Sequence, residues 1–286
     1  MKRNGLLSRR SILKGSIIGL AGVALPLVGR SEYNPIDNAA VSGKPHPNYP
    51  AISDDIVAEV VGKSHFDLEK VKSLVDQRPE LASATWDWGF GDFESAIGAA
   101  SHVGRRDIVE YLLSRGAKPN LFTYTVLGAH DVVKGMIEFT PGIQRTLGPH
   151  GISLLQHAKA GLRMESEMSA GHVANAKKLI AYLEALGDAD GKQYEDLDES
   201  EKPKYLGDYK YGEAEDEGFS IKLNMRKNIS LGKIGAFGGA LYKIGENKFF
   251  YNGAPSTVVS FQWNGDKVMS LTVTAPDAVV VADKII

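Results

Sequence analysis

The sequence predicts an α+β multidomain chain, a short α-solenoid of helical hairpins followed by a small antiparallel β-barrel-like domain. Three observations predict it. Apolar residues recur at helical spacing between residues 54 and 190, the periodicity changes to two after residue 204, and the stretch between is acidic with almost no large aliphatics. The expected order is an N-terminal segment at 1–31, a Pro-rich tether at 32–53, helical repeats at 54–190, an acidic linker at 191–203 and the β domain at 204–286.

The chain has 286 residues, 43% apolar and 24% charged, which is enough for two modest cores. The first 31 residues carry six basic side chains and no acidic one, so the rest stands at −8 against −2 for the whole. An acidic body repels phosphate backbones, and nucleic acid and anionic lipid are not expected partners. With no cysteine, disulfides, thiolate metal sites and thiol catalysis are excluded.

Residues Ser8-Arg9-Arg10-Ser11-Ile12-Leu13-Lys14 resemble the S-R-R-x-F-L-K signature of twin-arginine signals, with Ile12 in place of Phe. The apolar stretch behind them, Gly15 to Gly29, falls short of the roughly 20 residues a membrane span needs. The resemblance implies export to the periplasm or beyond by a route that accepts folded, often cofactor-loaded, cargo. The signal is either removed, near Ala24 or Ser31, or retained as an anchor. No membrane span is expected in the mature chain. From Glu32 to Ser53 the prolines at 35, 45, 47 and 50 oppose helix and sheet alike.

Helical spacing then recurs at Val71-Leu74-Val75, Val109-Leu112-Leu113, Val133-Met136-Ile137 and Ile180-Leu183. Ser95 to Asn120, with Ala99-Ala100 before Gly104, Asp107-Ile108-Val109 and Gly116-Ala117-Lys118-Pro119-Asn120 after it, resembles the ankyrin consensus. Ser95 is placed to cap the first helix, Gly104 to turn the chain and Gly116 to end the second helix. Flanking segments fit looser copies, about four hairpins in all, at irregular intervals. The resemblance implies an ankyrin-like solenoid that binds an unidentified protein partner.

In the C-terminal part Ser220 to Met225, Val258 to Trp263 and Ser270 to Thr274 read as strands. Turn residues separate them at Glu246-Asn247, Asn252-Gly253, Asn264-Gly265-Asp266 and Pro276-Asp277. Tyr205-x-Gly207-x-Tyr209 with Leu241 to Gly245 and the later strands resembles the small accessory β domain of serine β-lactamase-related exported proteins. That implies a barrel or half-barrel without catalytic residues.

No phosphate loop, nucleophile elbow or H-E-x-x-H pair occurs, and the seven histidines show no i, i+4 pair. Each histidine is therefore expected at the surface or in a turn, and no catalytic residue, cofactor or metal is expected. One loop stands out, Trp86-Asp87-Trp88-Gly89-Phe90-Gly91-Asp92-Phe93-Glu94, where a repeat carries its finger. Trp86, Asp87, Trp88, Phe90, Asp92 and Phe93, with His102, are the candidate binding residues, because rigid aromatics dominate recognition surfaces. Two alternatives stand beside this one. The rings cover the first repeat's core or dock on the β domain, or Asp87, Asp92 and Glu94 beside Trp86 and Trp88, with His102 or His150, form a sugar-binding or hydrolytic cleft. A ligand pocket in the β domain is a further possibility.

Overall fold

The computed structural model describes residues 51–285 apart from positions 192, 193, 195, 196, 225 and 237. The twin-arginine-type segment at 1–31 and nearly all of the Pro-rich tether lie outside the described residues. Residues 52–286 form a single compact unit. Among the described residues no helix is long and apolar enough to cross a membrane.

The helices come in antiparallel pairs: α1 (Asp54–Lys63) on α2 (Leu68–Gln77), α3 (Ala96–Val103) on α4 (Arg106–Ser114), α5 (Leu121–Val126) on α6 (His130–Phe139), and α7 (Leu154–Ala160) on α8 (Ala170–Leu186). Local chemistry sets their ends. The Ser95 hydroxyl accepts the Gly98 amide at 3.1 Å and starts α3. Asn120 and Thr123 form a reciprocal capping box on α5. Gly104 ends α3 with φ of 75°, a conformation that costs a side-chain-bearing residue about 1–2 kcal/mol.

The expected fold class is corrected here, because nothing in this packing supports an ankyrin-like solenoid. In a solenoid each unit touches only its neighbours. Here α3 touches α1, α4 and α5 and also α7, two hairpins away, because the six-residue α5 is too short to hold them apart. All of α3 except Val103 is buried. Lengths of the paired helices run from six residues in α5 to 17 in α8, and 3-10 turns at Pro79–Ser83, Ile143–Arg145, Pro149–Gly151 and Glu165–Glu167 interrupt any repeat. The buried apolar residues separate into one cluster around Val61, Ile97, Ile108 and Leu112 and another around Phe122, Leu154, Leu179 and Leu183. The ankyrin-like motif at 95–120 thus records one well-formed helical hairpin.

A short hairpin, β1 (Thr85–Asp87) and β2 (Phe93–Ser95), enters between α2 and α3, pairing Trp86 with Glu94. The C-terminal part is a closed eight-stranded antiparallel barrel, a complete cylinder where a barrel or half-barrel was expected. Its strands are β3 (Gly207–Lys210), β4 (Gly218–Leu223), β5 (Ile229–Lys233), β6 (Gly239–Gly245), β7 (Lys248–Tyr251), β8 (Ala254–Asn264), β9 (Lys267–Ala275) and β10 (Ala278–Lys284). Sequential strands pair, and β10 closes on β3 through Asp283 with Lys210 and Lys284 with Tyr209. Closure removes the exposed edges an open sheet would carry.

An eight-stranded barrel is just wide enough to be filled by its own side chains. Tyr209, Phe249, Phe261, Ile221, Leu231 and Leu271 fill this one, with Tyr205 from the short helix α9 (Lys202–Tyr205). Leu197, from the segment expected to be a solvated linker, is buried in the same core. The cavity lined by Leu197, Lys202, Leu241 and Phe249 holds about 20 Å³. That is room for a water molecule and too little for an organic ligand.

Candidate metal centre

Four side chains from four separate segments converge beside β2. Period-two alternation along β2 turns Glu94 inward between exposed Phe93 and half-exposed Ser95, and Glu94 is 0% exposed. His102 lies in the last turn of α3, His65 in the turn between α1 and α2, and His150 in the 3-10 turn Pro149–Gly151. One ligand atom from each, a ring nitrogen or a carboxylate oxygen, lies within 4.8 Å of all the others.

His102 Nε2 and His150 Nε2 approach Glu94 Oε1 to 3.0 and 3.3 Å, and His65 Nε2 approaches Glu94 Oε2 to 3.4 Å. Two ligands bound at about 2.0–2.1 Å on a tetrahedral zinc ion stand about 3.3 Å apart. The two approaches to Glu94 Oε1 are therefore already near the edge length of a metal's coordination shell, and the four ligand atoms stand within 4.8 Å of one another. Glu94 Oε1 and His102 Nε2 are buried without an aligned hydrogen bond, so their close approach leaves both unsatisfied.

The surrounding groups orient the same atoms. His65 Nδ1 donates to the Gly62 carbonyl at 3.0 Å, which orients the ring with Nε2 toward Glu94. His150 Nδ1 lies 2.7 Å from Asp92 Oδ2, and the His150 amide donates to Asp92 Oδ1 at 3.1 Å. The Trp88 indole N–H donates to Glu94 Oε2 at 2.7 Å, leaving Oε1 as the oxygen turned toward His102 and His150. Carboxylate and carbonyl partners on the far ring nitrogen are the usual supports of metal-binding histidines.

Electrostatics follow from burial and pairing. Burial would raise the Glu94 carboxyl, but the imidazoles of His102 and His150 override it and hold it below the usual carboxylate range. His150 runs the other way: burial opposes its charge, yet Asp92 and Glu94 push it up to about 10. His102 is lowered, since burial outweighs the pull of Glu94.

The backbone carries a matching strain. His150 adopts φ of 56° and ψ of 25°, a left-handed conformation that persists in a non-glycine residue only where the surroundings impose it. Asp92 grips its amide and ring, and the Asn252 side chain donates to its carbonyl.

The loop expected to be a recognition surface has mostly internal partners. Trp86 packs against the first helical cluster, and Asp87 accepts the amides of Gly89 and Gly91, shaping the tight loop. Trp88 bonds Glu94, and the Phe90 ring meets Tyr251 of the barrel at 5.1 Å. Asp92, 2% exposed, holds His150, whereas Phe93 remains 65% exposed. His102 joins the cluster. Of the histidines expected at the surface or in turns, His102, His130 and His157 are buried. Of the cluster members outside the expected binding set, Glu94 and His150 belong to the alternative cleft, and His65 to neither. No local spacing could mark them, because each lies on a different segment.

Comparison of the chain with known protein families, with characterised proteins and with solved structures finds no match.

Proposed function

We propose that this protein binds a divalent first-row transition metal, zinc fitting best, through the Nε2 atoms of His65, His102 and His150 and Oε1 of Glu94. The observation that carries the reading is that these four side chains each bring one ligand atom within 4.8 Å of the other three, with His65 and His150 each oriented through the opposite ring nitrogen. Three imidazoles and one carboxylate suit zinc, nickel, cobalt or copper(II) and disfavour magnesium and calcium, which take oxygen ligands. Bringing a dication to a buried carboxylate also offsets the cost of burying that charge. The ion would tie the α1–α2 turn, β2, α3 and the 149–151 turn into one unit. A fold completed by a metal also accords with the twin-arginine-type signal, whose route exports cargo already folded and loaded.

Calorimetric titration of chelator-treated protein with Zn²⁺ tests the reading. One ion per chain is expected in the native sequence, and binding at least 100-fold weaker in Glu94→Gln and His102→Gln. Equal binding by these variants overturns the assignment.

A second reading, recognition of a protein partner after export, is supported by the exposed rings of Phe93 and Phe66, which flank the centre. Unchanged capture of a periplasmic partner by a Phe93→Ala, Phe66→Ala double variant would remove it.

A further inference from the structure

The metal centre and the barrel share a boundary one hydrogen bond thick. The turn Asn252-Gly253 between β7 and β8 lies directly against the groups that hold His150. The Asn252 amide nitrogen donates to the His150 carbonyl, and a Cβ on Gly151 would overlap the Asn252 side chain. A Cβ on Gly253, whose φ is +94°, would overlap the Asp92 carboxylate. Beside it the Phe90 ring packs on Tyr251, whose hydroxyl accepts the Gly239 amide at 2.9 Å and so ties the contact to β6. Asp92 thus touches a candidate ligand on one side and the barrel on the other. Asn252 itself is 8% exposed.

We infer that this turn is a latch through which occupancy of the metal centre sets how firmly the barrel is held against the helices. The inference rests on the metal reading above. An ion that draws His150 Nε2 inward pulls on the same Asp92 carboxylate that Gly253 packs against, and it fixes the His150 carbonyl that Asn252 must reach. Without the ion, Asp92 and His150 retain their mutual contacts and His150 Nε2 keeps its 3.3 Å approach to Glu94, but no one atom is bonded to His65 and His102 as well. Coupling of this kind is reciprocal: if metal binding steadies the turn, loosening the turn must weaken the metal by the same factor.

Two arms test it in the full chain. Amide hydrogen exchange of residues 251–254, read by mass spectrometry, is expected to slow at least tenfold when Zn²⁺ is added to chelator-treated protein. Unchanged exchange in a sample that calorimetry shows to hold one zinc overturns the latch and leaves the metal reading standing; absence of zinc binding overturns both. In the reciprocal arm, Asn252→Ala and Gly253→Ala are expected to bind Zn²⁺ about tenfold more weakly, although neither residue offers a ligand atom. Native zinc affinity in a folded Asn252→Ala variant also overturns the latch. Should both variants fail to fold, the exchange arm on the native chain decides.

Discussion

Asp92 holds His150 twice, by a carboxylate oxygen 2.7 Å from Nδ1 and by the other oxygen accepting its backbone amide at 3.1 Å. A carboxylate so placed fixes the tautomer of a ligating imidazole and its orientation together, and losing such a support commonly costs about 10–100-fold in metal affinity. Asp92→Asn is therefore expected to weaken zinc binding by about that factor with one ion still bound per chain. Competition against a chromophoric chelator measures it, and an unchanged dissociation constant would show that Asp92 serves the fold alone.

Trp88 supports the other end of the cluster. Its indole N–H reaches Glu94 Oε2 at 2.7 Å, and a hydrogen bond to a buried charge contributes about 1.5–3 kcal/mol. Trp88→Phe removes the donor while keeping a ring, and it is expected to lower the stability of metal-free protein by about 2 kcal/mol. Urea unfolding checks this; a change within about 0.5 kcal/mol would mean that the oxygen is satisfied from elsewhere.

His157 gives the fold an acid-sensitive point outside the four-residue cluster. Its Nδ1 donates to the Ser153 carbonyl at 2.8 Å, its ring packs on Phe122, and burial pushes it from its ordinary 6.5 down to about 4. The charges of His102 and Arg226 press it down further, while the Ser153 carbonyl and Glu94 pull it back up. The unfolded chain takes up a proton near pH 6.5 while the folded chain resists until about pH 4, so stability falls as pH drops through that window. The loss reaches about 3 kcal/mol at its lower end. His157→Asn, which keeps a donor and does not titrate, should flatten that slope between pH 6.5 and 4.5 in urea unfolding. Parallel slopes would contradict the prediction.

Two glycines distinguish the packing around α3 from a linear stack. Both have left-handed backbone, with φ of +75° at Gly104 and +90° at Gly116. At Gly116 an added Cβ meets open space, so Gly116→Ala should cost only the conformational term of about 1–2 kcal/mol. At Gly104 the Cβ would overlap the carbonyl of Ala160 at the end of α7, and Gly104→Ala should cost about 3 kcal/mol or more. Equal melting temperatures for the two variants would contradict the α3–α7 contact.

What could be read from the sequence follows the range of the interactions. The strand at Ser270–Thr274 and the turns at Asn252-Gly253 and Pro276-Asp277 depend on neighbouring residues, and alternation and turn chemistry reveal them. The Ser95 cap and the Gly104 turn are local in the same sense. Barrel closure is not local, since it needs Asp283 beside Lys210, and nothing near either residue announces the other. The short α5 misleads in a different way. Its hairpin has the residues of a repeat, and the interval between repeats marks it as short, but nothing local says that α3 then meets α7. The aromatic density of residues 86–94 marked the right stretch of chain, since it signals rings that need partners. It does not say whether those partners lie inside or outside. The four clustered side chains sit on a turn, a strand, a helix and a 3-10 turn, so a search for paired histidines on one helix had nothing to find.

Anomalous diffraction at the zinc edge from crystals grown with Zn²⁺ tests the central claim most directly. One peak is expected among His65, Glu94, His102 and His150, about 2.0–2.2 Å from each ligating atom. A peak bound elsewhere with these four side chains unmoved, or an empty cluster in saturating zinc, would contradict the account.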